Sequence, residues 1–251
     1  MFFTQSFANT LSAAADATKQ ILWLQQGSNY RRDDIRTKIE QCGLLYPLDV
    51  LLVGGTGTGK SSTLNALFGN AVAGVGDGVD PHTQAVDAYR LHSHLRFHDS
   101  AGLGDGKDAD LRHSKAITEH LGLVTKNNPE HGFIDLAMVI LDGGSRDLGT
   151  AFSLLEKVVL KAISADRVIV IINQADMAMK GRHWDERRNR PEPELIAFLD
   201  EKAKSVQRRL QEATGLTIKQ PICYSATCGY NLHAVIDHIY EHIPSSIRQM
   251  K

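Results

Sequence analysis

Residues 54–61 read GGTGTGKS, and their types and spacing suit the holding of phosphate. The glycines let backbone N–H groups converge on phosphate oxygens where a helix begins. Lys60 brings a cation to the outer phosphates, and the Ser61 hydroxyl suits a Mg²⁺ ion bound to them. Gly55, Thr56, Gly57, Thr58, Gly59, Lys60, Ser61 and Ser62 are the candidate phosphate-binding residues. Residues 97–106, FHDSAGLGDG, add Asp99 at the end of an apolar run, with three glycines behind it. In isolation Asp99 reads as a helix cap. Beside a phosphate loop it suits an outer position around Mg²⁺, which usually keeps several waters. The Gly102 N–H is then placed to bond the terminal phosphate.

A third cluster chooses among bases. Residues 172–176, INQAD, end in Asp176. A carboxylate there can accept two hydrogen bonds from the N1–H and N2–H₂ edge of guanine, a pattern that adenine lacks. Asn173 braces that pocket. The Ser225-Ala226 pair offers a backbone N–H to the guanine O6.

These residues need a scaffold that brings strand ends together. Strand-like runs fall at residues 49–53, 85–91, 94–98, 134–141, 167–172 and 221–224, and helical patterns at 60–68, 110–123, 149–163, 193–213 and 232–242. Such alternation predicts an α/β fold, a mainly parallel sheet covered on both faces. Only His92 and Ser93 separate the second and third runs. That is too short for a parallel crossover, so the second strand is antiparallel. Upstream, Leu11, Ala14, Ala15, Thr18, Ile21, Leu22 and Leu24 mark one apolar helix face. A break at Gly27-Ser28-Asn29 precedes a second helix with Ile35, Ile39 and Cys42, ending at Gly43. The expected division is a helical extension over 1–46 and a nucleotide-binding domain over 47–251.

The bulk numbers exclude some classes. The 28 Lys and Arg nearly balance 29 Asp and Glu, so the chain has no overall basic footprint for nucleic acid. No apolar run approaches the length of a membrane span. Cys42, Cys223 and Cys228 read as free thiols of a reducing cytoplasm, which makes cytoplasmic the expected location.

The order GxxxxGKS, Thr, DxxG, NxxD, SA, with a hairpin between the second and third strands, resembles the translation-factor-related P-loop GTPase superfamily. The Era/TrmE-like and septin-like branches are nearest. More narrowly, GGTGTGKSSTLNALFG, DSAGLGDG and NQAD resemble the YfjP-type bacterial GTPases. The likeness covers about residues 48–243 and implies a Ras-like G domain that binds GTP or GDP with Mg²⁺. It implies a mixed six-stranded sheet with an antiparallel second strand. It also makes Thr83, in GVGDGVDPHTQ, the switch threonine that joins Ser61 and Asp99 around Mg²⁺ only while the γ-phosphate is present. Lys60, Thr83 and Gly102 are then the catalytic set.

Three positions depart from the usual pattern. Gln174 stands where many relatives carry a lysine whose stem covers the base, so affinity is expected to fall while Asp176 keeps selectivity. Gly57 replaces the asparagine that binds potassium in TrmE-like proteins. Leu103 follows DxxG where Ras-like enzymes place a water-orienting glutamine. The expectation is slow hydrolysis, with water positioned by the Thr83 carbonyl, by Asp105 or by a partner. A GTP/GDP-gated scaffold without catalysis is the rival reading. His82, His92, His94 and His98 read as hairpin surface rather than a metal site. The charged residues 180–194, with Trp184, read as a solvated loop, RNA or headgroup contact being the alternative. The N-terminal helices either dock on the G domain or serve a homodimer or protein partner.

Overall fold

The computed structural model describes residues 15–69, 88–99, 107–145, 149–215 and 217–250, with the side chains of 107–113 and of residue 150 left aside. Leu11, Ala14, His82, Thr83, Gly102, Leu103 and Asp105 lie outside the described residues.

Helix α1 spans residues 15–26 and α2 is Arg32–Gln41, with a 3₁₀ turn at Gly27–Asn29 between them. Strand β1 (Leu48–Val53) feeds the phosphate-loop motif and α3 (Lys60–Phe68). The hairpin β2 (Ala88–His92) and β3 (Leu95–Asp99) follows, then α4 (Lys107–Leu121). A small hairpin, β4 (Val124–Thr125) and β5 (Asn128–Gly132), precedes β6 (Leu136–Asp142). Helices α5 (Gly149–Leu154) and α6 (Leu160–Ala162) flank a π-helical turn. Strand β7 (Val168–Asn173) leads to a second small hairpin, β8 (Trp184–Asp185) and β9 (Arg190–Pro191). The chain closes with α7 (Pro193–Thr214), β10 (Ile222–Cys223) and α8 (Leu232–Glu241).

Six strands form one sheet in the order β10-β7-β6-β1-β3-β2. Every pairing in it is parallel except β2 with β3. This is the mixed sheet expected from the sequence. Alternate residues of β1 serve two cores, as pleating requires. Leu48, Val50 and Leu52 pack with Trp23, Ile35, Ile39, Leu64 and Ile239, whereas Leu51 and Val53 pack with Ile117, Leu121, Val159 and Val206. A strand buried on both faces has no polar alternation, hence the unbroken run VLLV.

Both short hairpins are absent from the pattern reading. The β4–β5 pair lies in the connector between a helical pattern and the next strand-like run. The β8–β9 pair lies inside the charged segment expected to be a loop. Each strand has only two to five residues, too few for periodicity to register.

The N-terminal helices lie against the sheet domain. Trp23 and Tyr30 are buried and meet edge to face with centroids 5.9 Å apart. Asp237 of α8 gathers Tyr30 Oη at 3.0 Å, Arg31 Nε at 2.7 Å and Lys19 Nζ at 3.0 Å. Burial raises the Asp237 pKa, but Lys19 and Arg31 outweigh it and hold the carboxyl below its ordinary value. Ile21, Leu22 and Leu24 remain exposed.

Candidate functional site

The sheet register converges on the loop after β1. Leu52 pairs with Asp99, so the carboxylate stands beside the strand that delivers the loop. Asp142 pairs with Asn173, bringing the base-side motif level with it on the other flank. The Gly143 N–H donates to Asn173 O at 2.7 Å and fastens these two strand ends. Lys202 of α7 donates to the carbonyls of Gly143 and Ser145, so a helix on the outer layer braces the same corner.

In the loop, Gly57 and Gly59 take positive φ of 78° and 88°. At Gly59 a Cβ would run into Asn173 Nδ2, so this position tolerates neither a side chain nor its strain. The first helical bond of α3 is Thr63 N–H to Gly59 O at 2.8 Å. The amides of Lys60, Ser61 and Ser62 therefore have no partner inside the helix and are available to an anion. Lys60 is only 7% exposed, and its Nζ lies 2.8 Å from Gly54 O and 3.2 Å from Gly55 O. Burial lowers its pKa, while Asp99 opposes the shift. The ammonium thus rests on backbone carbonyls at the loop. Ser61 Oγ donates to Asp99 Oδ2 at 3.4 Å, which pairs a hydroxyl and a carboxylate of the hard-oxygen type that Mg²⁺ accepts.

On the base side, Asn173 is 2% exposed and bridges two loops. Its Nδ2 donates to Thr58 O at 3.0 Å, and its Oδ1 accepts the Ala226 N–H at 3.0 Å. The Ala226 amide expected to face a base is thus held by Asn173 here. Gln174, at a φ of 61°, donates from Nε2 to Gly57 O at 2.7 Å and lies across the loop. Ser225 Oγ accepts the Cys228 N–H at 3.1 Å, tightening the turn. Asp176 Oδ1 is buried and has no hydrogen-bond partner among the described residues.

These groups line one cavity of about 430 Å³, which joins Thr56, Gly57, Gly59, Lys60, Ser61 and Ser62 to Asn173, Gln174 and Asp176. Gly55 and Thr58 shape the loop behind it through the Thr58 Oγ1 bond to Gly55 O at 3.0 Å. Met177 and Thr227 also line it and were missed by sequence reasoning. Their only signal is adjacency to the NQAD and SA motifs. A second missed pair supports the loop from below: Thr63 Oγ1 meets Tyr224 Oη at 2.7 Å in the core. Among the described hairpin histidines, His92 and His98 are buried rather than on the surface, and His98 faces Asp49 Oδ1 at 2.7 Å on the inner face.

Solved structures share this architecture. Toc33 from Arabidopsis thaliana in complex with GDP and Mg²⁺ matches with a TM-score of 0.58 at 11% identity, over 89% of this chain and 96% of that one. A Toc33 mutant described as dimerization deficient gives 0.59 at 12% identity, over 89% of this chain and 95% of that one. The bacterial dynamin GTPase LeoA from ETEC gives 0.50 at 15% identity, over 95% of this chain and 44% of that one. At these identities the likeness is one of fold. A search of curated protein sequences finds no significant match. The family model described as 50S ribosome-binding GTPase matches residues 49–206, from the first sheet strand into α7. The chain therefore belongs to this P-loop GTPase family, whose G domain binds guanine nucleotides.

Proposed function

We propose that the chain is a slow, Mg²⁺-dependent GTPase of the YfjP/Era-like branch, working as a nucleotide-controlled switch. The observation that carries this reading is Asp176 Oδ1, a buried acceptor without a partner among the described residues, in the cavity whose other end is Lys60. Burying such an atom is costly unless a ligand donor satisfies it, and the guanine N1–H edge is that donor. In this reading residues 47–251 form the nucleotide-binding unit and 1–46 its N-terminal extension.

Each residue then has a task. Asn173 fixes the loop and the base turn, and Gln174 covers the base in place of the usual lysine. Ser225 and Ala226 shape the turn that faces O6. Lys60 leaves its carbonyls for the β- and γ-phosphates, where its charge opposes that developing on the transferred group. Ser61, Thr83 and Asp99 hold Mg²⁺, which when bound neutralises phosphate charge, and the Gly102 N–H bonds the γ-phosphate. Hydrolysis converts GTP and water to GDP and phosphate by in-line attack. Leu103 offers no acceptor to orient that water, so a switch residue or a second molecule supplies the missing group. The exposed Ile21, Leu22 and Leu24 of α1 are the proposed contact for such a partner.

Lys60→Ala is expected to abolish GTP binding or turnover, measured by nucleotide titration and phosphate release. GTP binding and turnover both undiminished in that variant would overturn the assignment. Leu103 also favours the scaffold reading, and single-turnover phosphate release separates the two. Release within minutes to hours supports the enzyme, and none with bound GTP supports the scaffold.

A further inference from the structure

The β8–β9 hairpin folds the charged segment after the NQAD motif back on itself, and in doing so it gathers three metal-ligating side chains. Trp184 pairs with Pro191 and Asp185 with Arg190, so the same antiparallel register sets His183 opposite Glu192. The Glu192 N–H donates to His183 O at 2.8 Å and closes that end of the ladder. Residues opposite each other in such a pair have Cβ atoms about 5 Å apart, within reach of one ion. Glu194 lies in the first turn of α7, which starts directly after the hairpin.

The three side chains converge. His183 Nδ1 lies 3.3 Å from Glu192 Oε2 and 4.0 Å from Glu194 Oε2. Among the described residues this is the one place where three imidazole, thiol or carboxyl groups bring ligand atoms within 4.8 Å of one another. At Zn–N and Zn–O lengths of about 2.0–2.2 Å, two corners of a tetrahedron are roughly 3.3–3.6 Å apart. The first spacing meets that geometry, and the second needs a small rotation of the exposed Glu194 side chain. Neither glutamate pairs with a lysine or arginine among the described residues. Their place at the start of α7 keeps both carboxylates ionised, since a helix N-terminus favours negative charge.

We propose that His183, Glu192 and Glu194 form a binding site for a divalent transition metal of the Zn²⁺ type. An imidazole beside carboxylates suits zinc and its neighbours, whereas Mg²⁺ and Ca²⁺ take oxygen donors. The metal is bound through Nδ1 of neutral His183. Three protein donors leave a fourth position to water. The ion ties the hairpin to the start of α7, just beyond the Ala175–Gly181 segment that carries Asp176. It is distinct from the Ser61–Asp99 pair at the phosphate loop, whose donors are oxygens alone.

The test uses the full chain with GDP and excess Mg²⁺ present, and Zn²⁺ as the probe. Titration calorimetry is expected to show saturable Zn²⁺ binding in the micromolar range that excess Mg²⁺ does not displace. His183→Asn keeps a residue that tolerates the positive φ of 64° at this position. That variant and Glu192→Gln should each weaken Zn²⁺ binding at least tenfold while GDP affinity is unchanged. In the wild-type protein, Zn²⁺ should shift the backbone resonances of His183, Trp184 and Glu192. No saturable binding, equal Zn²⁺ affinity in both variants, or shifts confined to Cys228, to His92 and His94 or to the phosphate loop would each overturn the proposal.

Discussion

Asn173 and Gly59 form one unit. The asparagine reaches Thr58 O only because the glycine beneath it has no side chain. Gly59→Ala is therefore expected to cost about 1–2 kcal/mol for the left-handed backbone alone, and more for displacing Asn173. Thermal unfolding should show a clear drop, together with weaker nucleotide binding. An unchanged melting temperature would contradict the close approach. Tyr224→Phe makes a milder test. It removes the bond to Thr63, whose hydroxyl still donates to Gly59 O at 2.7 Å. The expected loss is about 1 kcal/mol, read by denaturant unfolding, with nucleotide selectivity intact.

Among the elements, the strand ends on the far side of the sheet carry a buried polar network, and it predicts how stability follows pH. The folded pKa of Asp135 is about 7, above the roughly 3.9 of an unfolded aspartate. The folded state therefore binds the extra proton between those values. Its contribution to stability is full at low pH and is lost as pH rises toward 7. Asp135→Asn should remove that slope and raise stability at pH 8 by a few kcal/mol, seen in unfolding midpoints from pH 5 to 8. His92 and His238, both lowered to about 4 mainly by burial, act in the opposite sense and lose stability as pH falls from about 6.5. The comparison of wild type with Asp135→Asn isolates the aspartate from them. For the N-terminal helices, Trp23→Ala should cost about 3 kcal/mol, because the ring is buried against the sheet domain. An unchanged unfolding midpoint would mean that α1 contributes nothing to the fold.

The sequence was most legible where one residue type serves one local geometry. The GGTGTGKS loop, the β2–β3 turn and the long amphipathic α7 all announce themselves in their own residues. The α3 boundaries coincide with the helical pattern at 60–68. The less legible parts depend on distant residues. Nothing near Asp135 announces that Asp49, eighty-six residues away, donates to it. Nothing near Ala226 shows that its amide is held by Asn173 rather than facing the cavity. The β4–β5 and β8–β9 hairpins are too short to carry a period and are fixed by tertiary packing. Met177 and Thr227 join the site because their loops converge there, which pattern alone does not give.

At the scale of the whole molecule, the sheet has a cavity at each end. One end gathers the phosphate loop and the base motifs, and the other encloses the larger cavity floored by Asp49 and Asp135. The family binds guanine nucleotides, the proposed function puts the nucleotide at the first end, and its central claim is that Asp176 selects the base there. A competition titration of GDP against XDP, on wild type and Asp176→Asn, tests it most directly. Hydrogen bonds to a charged group contribute about 1.5–3 kcal/mol. The wild type should therefore prefer GDP by roughly ten- to a hundredfold or more, and Asp176→Asn should reverse the preference. An Asp176→Asn protein that still prefers GDP would contradict the account.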